Sequence, residues 1–170
     1  MVQKLRIADH SSCSIKTLYN LIRDVYQTSG FMSDEFNEKF RSFTFFETFL
    51  FDFEEMPGAF LLVAFDDEKP AGYLSLEPKR AFRLKHTAWL NMGVSEKHRG
   101  KGIGKMLVDA AFEKIKTEKI IEIVYLMVRA DNFPAVKLYE QKGFENLATL
   151  EKDTKIGDEY FDGILMRKFT

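Results

Sequence analysis

Three glycines alternate in Arg99-Gly100-Lys101-Gly102-Ile103-Gly104-Lys105, at the entrance of an amphipathic stretch marked by Ile103, Leu107, Ala110 and Ala111. Glycine lets backbone amides approach a ligand with no Cβ in the way. A helix N-terminus adds unpaired N–H groups and a partial positive charge, and the two together suit a pyrophosphate. Lys97, His98, Arg99, Lys101 and Lys105 surround the turn with basic side chains. Such a charge run alone reads as a solvated face; beside the glycines it reads as an anion site. A Walker loop is disfavoured because Gly100-Lys101 is followed by Gly102 and not by Ser or Thr. A dinucleotide fingerprint fits poorly, since its third glycine lies three positions after its second and it belongs to the first βα turn of the chain.

A second constellation is Asn132-Phe133-Pro134-Ala135-Val136-Lys137-Leu138-Tyr139-Glu140-Gln141-Lys142-Gly143-Phe144. Tyr139 lies four residues after Ala135, so on a helix it shares a face with the first turn. An aromatic at this spacing fits a core position as well as a catalytic one. Asn132 is suited to cap a helix whose first turn holds Pro134, and Gly143 to end it in a left-handed conformation. Ahead of the glycine turn runs Leu90-Asn91-Met92-Gly93-Val94. Gly93 there fits either a bulge or a close packing contact.

The elements that must position these residues follow from periodicity. A strand is expected over Lys4 to Ala8. Ser11, Ser12 and Ser14 can cap a helix that runs to about Gln27, with Ile15, Leu18, Ile22 and Val25 on one stripe. A second helix is expected from Asp34 to about Phe53, with Phe36, Phe40, Phe43, Phe46, Phe49 and Phe53 spaced by three and four as a core stripe. Ala59 to Phe65 and Ala71 to Glu77 read as a hairpin. Thr87 to Val94, Gly102 to Thr117, Ile120 to Val128 and Phe133 to Lys142 read as a βαβα unit. Its second strand, almost continuously apolar, is expected in the middle of the sheet and covered on both faces. Ala148 to Lys155 and Tyr160 to Lys168 complete the set as a hairpin with its loop at Ile156 to Glu159.

Composition narrows the classes. A chain of 170 residues, 45% hydrophobic and 30% charged, fits one globular domain over residues 1–170. A net charge of −1 gives no global attraction to nucleic acid or to an anionic membrane. Cys13 is the only cysteine, so neither an intrachain disulfide nor a zinc site built on several cysteines can form. No secretory leader and no apolar run of about 20 residues is seen, and a cytoplasmic location is expected.

Arg99-Gly100-Lys101-Gly102-Ile103-Gly104 resembles motif A of the GNAT superfamily of N-acetyltransferases, Gln/Arg-x-x-Gly-x-Gly/Ala, at every fixed position. The Asn132 to Phe144 segment supplies the family's second pattern at the expected distance. The resemblance implies an α/β (α+β) GNAT fold: a mixed, mostly antiparallel sheet of six to seven strands with a splayed parallel pair, and about four helices. It implies acetyl-CoA as acyl donor, held by backbone from Met92 through Gly93 to Val94, by Arg99, Gly100, Lys101, Gly102, Ile103, Gly104 and Lys105, and by Asn132 and Tyr139. The Met92 amide is the expected oxyanion donor and Tyr139 the general acid that protonates the thiolate. The reaction implied is direct attack by a primary amine of a small molecule or peptide in a ternary complex.

The family's usual Glu or His on the cofactor strand is missing, where this chain has Ala88 and Leu90. His86, Glu77 and Asn91 are the nearest substitutes for a base. The acceptor is expected between the phenylalanine-rich segment and the Ile156 to Tyr160 loop, with Asp34, Glu35, Glu54, Glu55 or Glu159 available to a cationic amine. A homodimer is common in proteins of this type. The absent base keeps a second reading open, a non-catalytic acyl-CoA-binding module of the same fold.

Overall fold

A computed structural model describes residues 5–170. Seven strands form one sheet in the order β1-β2-β3-β4-β5-β7-β6, comprising β1 (Leu5–Asp9), β2 (Phe60–Asp66), β3 (Lys69–Pro78), β4 (Thr87–Val94), β5 (Ile123–Arg129), β6 (Glu145–Ile156) and β7 (Glu159–Phe169). Every neighbouring pair is antiparallel except β4 and β5. Five helices accompany it: α1 (Ile15–Thr28), α2 (Phe36–Lys39), α3 (Phe43–Glu54), α4 (Ile103–Glu118) and α5 (Phe133–Gln141). The mixed sheet and its parallel pair are those expected. The expected start of the first strand at Lys4 lies outside the described residues.

One helix more than expected arises because the phenylalanine-rich segment breaks. Phe40 is extended (φ −127°), and the Ser42 hydroxyl accepts from Phe45 N at 3.1 Å, capping a fresh helix. The break folds α2 back, so Tyr19 of α1 meets Phe36, Phe43 and Phe46 edge to face with centroids 5.0–5.3 Å apart. Aromatic pairs favour that geometry because a positive ring edge meets a negative face. Ser14, from the serine-rich stretch, caps α1 by accepting from Thr17 N at 3.1 Å.

Two apolar layers sandwich the sheet. In β2, Phe60, Leu62 and Ala64 pack under α4 while Leu61, Val63 and Phe65 pack under α1 and α3, as the two-residue period of a strand requires. The strand covered throughout on both faces is therefore β2, and the expectation for β5 is corrected. Val124, Leu126 and Val128 of β5 are buried, but Met127 is 40% exposed, because the α1–α3 layer does not extend over that strand. Among the described residues no helix is long and apolar enough to cross a membrane.

Candidate active site in the splay between two parallel strands

The parallel pairing of β4 and β5 covers only Thr87↔Ile123, Ala88↔Val124 and Trp89↔Tyr125. Beyond Trp89 the strands separate, while β4 stays in regular register with β3 from Pro78↔Ala88 to Gly72↔Val94. Of the two readings of Gly93, the register with β3 shows no bulge, and the opening is a splay. Ser95 N donates to Ala71 O of β3 at 2.9 Å. Antiparallel pairs alternate from there, so the N–H and C=O groups of Leu90, Met92 and Val94 point away from β3 into the gap that β5 has left.

Gly93 is explained by packing. A Cβ on it would lie 2.3 Å from Val25 Cγ1 and 3.1 Å from Tyr73 Cε1, so the close approach of α1 to β4 excludes any side chain.

At the C-terminal end of β4 the glycine turn opens α4. Gly100 and Gly102 have φ of +77° and +80°, a left-handed region where side chains are disfavoured. No side chain caps α4, and its first hydrogen bond runs from Met106 N to Gly102 O. The amides of Ile103, Gly104 and Lys105 therefore lie outside the helical ladder and form a site for an anion.

The basic residues divide. Lys101 Nζ is 3.0 Å from Asp66 Oδ2 on β2, and His98 Nε2 is 3.6 Å from the same oxygen with its Nδ1 2.7 Å from Ser95 Oγ. Both brace the turn against the sheet. Arg99 donates to Val94 O at 3.3 Å and to Thr28 O at 3.1 Å, joining the turn to the end of α1. Lys105 is exposed.

A cavity of about 590 Å³ runs from the turn through the splay. Met92, Gly93, Val94, Arg99, Gly100, Gly102, Ile103, Gly104, Asn132 and Tyr139 all line it, whereas Lys101 and Lys105 do not. The expected set is thus brought together apart from two lysines.

Tyr139 is held by the end of its own helix. Phe144 N donates to Tyr139 O at 3.0 Å and Gly143 N to Glu140 O at 2.9 Å, with Gly143 at φ +80°. This is a Schellman termination, whose usual apolar contact is made here by the Tyr139 and Phe144 rings at 5.6 Å. The Tyr-x-x-x-Gly-Phe spacing is therefore a device that orients the tyrosine. Burial pushes its phenol above the usual tyrosine range, so it stays protonated as a donor. Asn132 accepts from Ala135 N at 3.4 Å and caps α5.

Other lining residues gave little sign in the sequence. Tyr73, paired with Gly93 across β3 and β4, is buried beneath the splay. Tyr26 and Asp34 line the cavity together, and burial followed by the Asp34 charge raises the Tyr26 phenol above its usual range. Arg129 donates from Nε and Nη2 to Asp131 at 3.0 and 2.6 Å, and from Nη1 to Gly30 O at 2.7 Å. Its charge at the end of an apolar strand, two residues before Asp131, was the signal available for it.

Of the substitutes for a base, only Asn91 lines the cavity. His86 and Glu77 sit where β4 is still paired; Glu77 is opposite Trp89, and His86 O accepts from Glu122 N at 2.8 Å. Beside the cavity lies a pocket of about 370 Å³ that shares Tyr26, Ser29, Met32 and Asp34 with it and adds Glu35 and Ile156. Glu54, by contrast, pairs with His10, and Glu159 is exposed.

A model of a family described as "Acetyltransferase (GNAT) family" matches residues 16–144. An L-amino acid N-acetyltransferase of Escherichia coli is 28% identical over 114 residues, 67% of this chain and 70% of that protein. An acetyltransferase of the GNAT family from Streptococcus pneumoniae superposes with a TM-score of 0.90 at 23% identity, covering 98% of this chain and 100% of that one. A Salmonella typhimurium protein solved with its cofactor acetyl-CoA superposes at 0.73 and 17% identity, covering 99% and 94%. The two structural likenesses speak to the fold.

Proposed function

The chain belongs to the acetyltransferase (GNAT) family, and on that premise we propose that it acts as one domain to move an acetyl group from acetyl-CoA to a primary amine of a small molecule or peptide. The observation that carries this reading is the coincidence, in one cavity, of the Met92 N–H and C=O and the Val94 N–H that β5 leaves without a strand partner, the uncapped start of α4 and Tyr139. When bound, acetyl-CoA supplies the activated thioester. The amides of Ile103, Gly104 and Lys105, with Arg99 beside them, receive its pyrophosphate, and the Met92 to Val94 backbone pairs with its pantetheine arm as an added strand would.

The Met92 N–H, fixed by the sheet and aimed into the gap, stabilises charge developing on the acyl oxygen. The amine attacks directly within a ternary complex. Tyr139, neutral because it is buried, gives its proton to the departing thiolate. A lone cysteine fits a reducing, cytoplasmic setting.

The deciding assay incubates the protein with acetyl-CoA and a wide panel of primary amines and follows free thiol. Thiol release with at least one amine is expected. Acetyl-CoA binding with no thiol above background across the panel would leave only the non-catalytic module, and no binding at all would remove both readings.

A further inference from the structure

An amine that enters the site as an ammonium must lose a proton before it can attack, and none of the substitutes on or beside β4 can take one there. Among the described residues, Asp34 is the only carboxylate lining the 590 Å³ cavity. It sits between α1 and α2, and it also lines the 370 Å³ pocket, so it stands where the two volumes meet. Tyr26 of α1 lines both volumes beside it, and burial followed by the Asp34 charge raises the Tyr26 phenol above its usual range.

Tyr73 ties Asp34 to the reacting region. Its phenol is pushed up by burial first, and then by Tyr26, Asp34 and Tyr139. One buried hydroxyl thus feels Asp34 and Tyr139 together, and that hydroxyl belongs to the residue opposite Gly93. Asp34, Tyr73 and Tyr139 line one cavity together with Met92 and Gly93 of β4.

Resting on the reading above, we infer that Asp34 anchors the acceptor's ammonium and is the base that deprotonates it, with Tyr26 positioning the carboxylate. The proton balance is complete. The bound ammonium gives one proton to Asp34, and the freed lone pair forms the N–C bond to the acyl carbon. The C–S bond breaks with its electron pair going to sulfur, and the thiolate takes the Tyr139 proton. The second proton shed by the acylated nitrogen returns to the phenolate, and Asp34 releases its proton to solvent. The body of the amine occupies the 370 Å³ pocket, where Glu35 and the Asp34 charge favour a cationic acceptor.

The titratable and charged groups that line the two volumes with Asp34 are Tyr26 of α1, Glu35 before α2, Lys39 of α2, Tyr73 of β3, His98 and Arg99 of the glycine turn, Arg129 of β5 and Tyr139 of α5. The test uses the full chain with acetyl-CoA and putrescine, phenethylamine or glycinamide, whichever gives the fastest thiol release, and records kcat/KM against pH. Asp34→Asn should lower kcat/KM by about 10²- to 10⁴-fold and erase the acidic limb, with acetyl-CoA affinity and thermal unfolding unchanged. Asp34→Glu should recover part of the rate. Tyr26→Phe should lower kcat/KM by less than Asp34→Asn does, with acetyl-CoA affinity and thermal unfolding unchanged. A folded Asp34→Asn protein that keeps the native rate and limb would overturn the assignment while the acetyltransferase reading stands. No thiol release by the native protein with any amine would overturn that reading, and the assignment with it.

Discussion

Gly93 of β4 and Val25 of α1 pack so closely that a single methyl group on Gly93 would lie 2.3 Å from Val25 Cγ1. Val25 is 1% exposed and cannot turn aside into solvent. Gly93→Ala should therefore push α1 off the sheet and destabilise the protein by about 1–3 kcal/mol, the usual range for overpacking. Val25→Ala in the same chain should relieve part of that loss, giving a favourable coupling of roughly 1 kcal/mol in a double-mutant cycle. Denaturant unfolding of the four proteins measures it, and simple additivity would mean that the two residues do not clash.

Tyr139 separates chemistry from structure. The bonds that end α5 are backbone bonds, and the contact with Phe144 needs only the ring, so Tyr139→Phe should keep its melting temperature and its acetyl-CoA affinity. Thiol release should fall about 10²- to 10⁴-fold. Because burial raises the phenol, the native rate should show no alkaline decline from Tyr139 up to about pH 10, the ordinary tyrosine value. Equal rates for the two proteins would remove Tyr139 from the chemistry.

The site was legible in sequence where a local motif encodes both geometry and ligand. The left-handed glycines at 100 and 102 and the Tyr139-Gly143-Phe144 termination are contained within a few residues, so spacing alone exposes them. Strand β4 was read from Thr87 to Val94 and found there. What stayed hidden depends on the fold. Lys101 reads as a phosphate ligand until β2 brings Asp66 beneath it. Asp34 is one acid among several until the break at Phe40 to Ser42 turns α2 back and leaves the preceding loop over the splay. Gly93 reads equally as a bulge or a packing glycine until α1 is seen against it.

Lys101 and Lys105 should behave differently although both belong to the basic turn. Lys101 reaches Asp66, whose side chain is only 9% exposed, so Lys101→Met should cost about 1 kcal/mol. Lys105 is exposed, and Lys105→Met should stay within about 0.5 kcal/mol of the native stability while weakening the salt dependence of acetyl-CoA binding. Calorimetric melting and binding titrations at two ionic strengths distinguish them. A stability loss confined to Lys105→Met would contradict the observed pairing.

The phenylalanine-rich segment offers a control on burial. Phe46 is 0% exposed among Tyr19, Phe40 and Phe49, whereas Phe51 on the same helix is 64% exposed. Phe46→Ala should cost about 3–5 kcal/mol through lost transfer energy and a cavity. Phe51→Ala should change stability by less than about 0.5 kcal/mol. Similar losses at both positions, measured by urea unfolding, would show that the outer face of α3 is also covered.

Asp131 provides the pH test of the hold that Arg129 has on the loop at Gly30. Two hydrogen bonds from Arg129 are the main cause of a carboxyl held below its usual range, opposed by a smaller burial effect. The folded value lies below the unfolded one, so the stabilisation is fully present above about pH 4, the ordinary aspartate value, and is lost as pH falls through the folded value. Asp131 is 41% exposed, so solvent screening keeps the effect near 1 kcal/mol. Asp131→Asn should therefore unfold at lower temperature than the native protein at pH 7. The two melting curves should begin to converge below about pH 4 and meet once the pH has fallen past the lower folded value, where the native carboxyl is neutral too. Because Arg129 donates to Gly30 O, the substitution should also speed amide exchange in the Ser29 to Asp34 loop at neutral pH. A melting difference that stayed constant down to pH 2 would show that the bond geometry, and not the charge, is what Asp131 contributes.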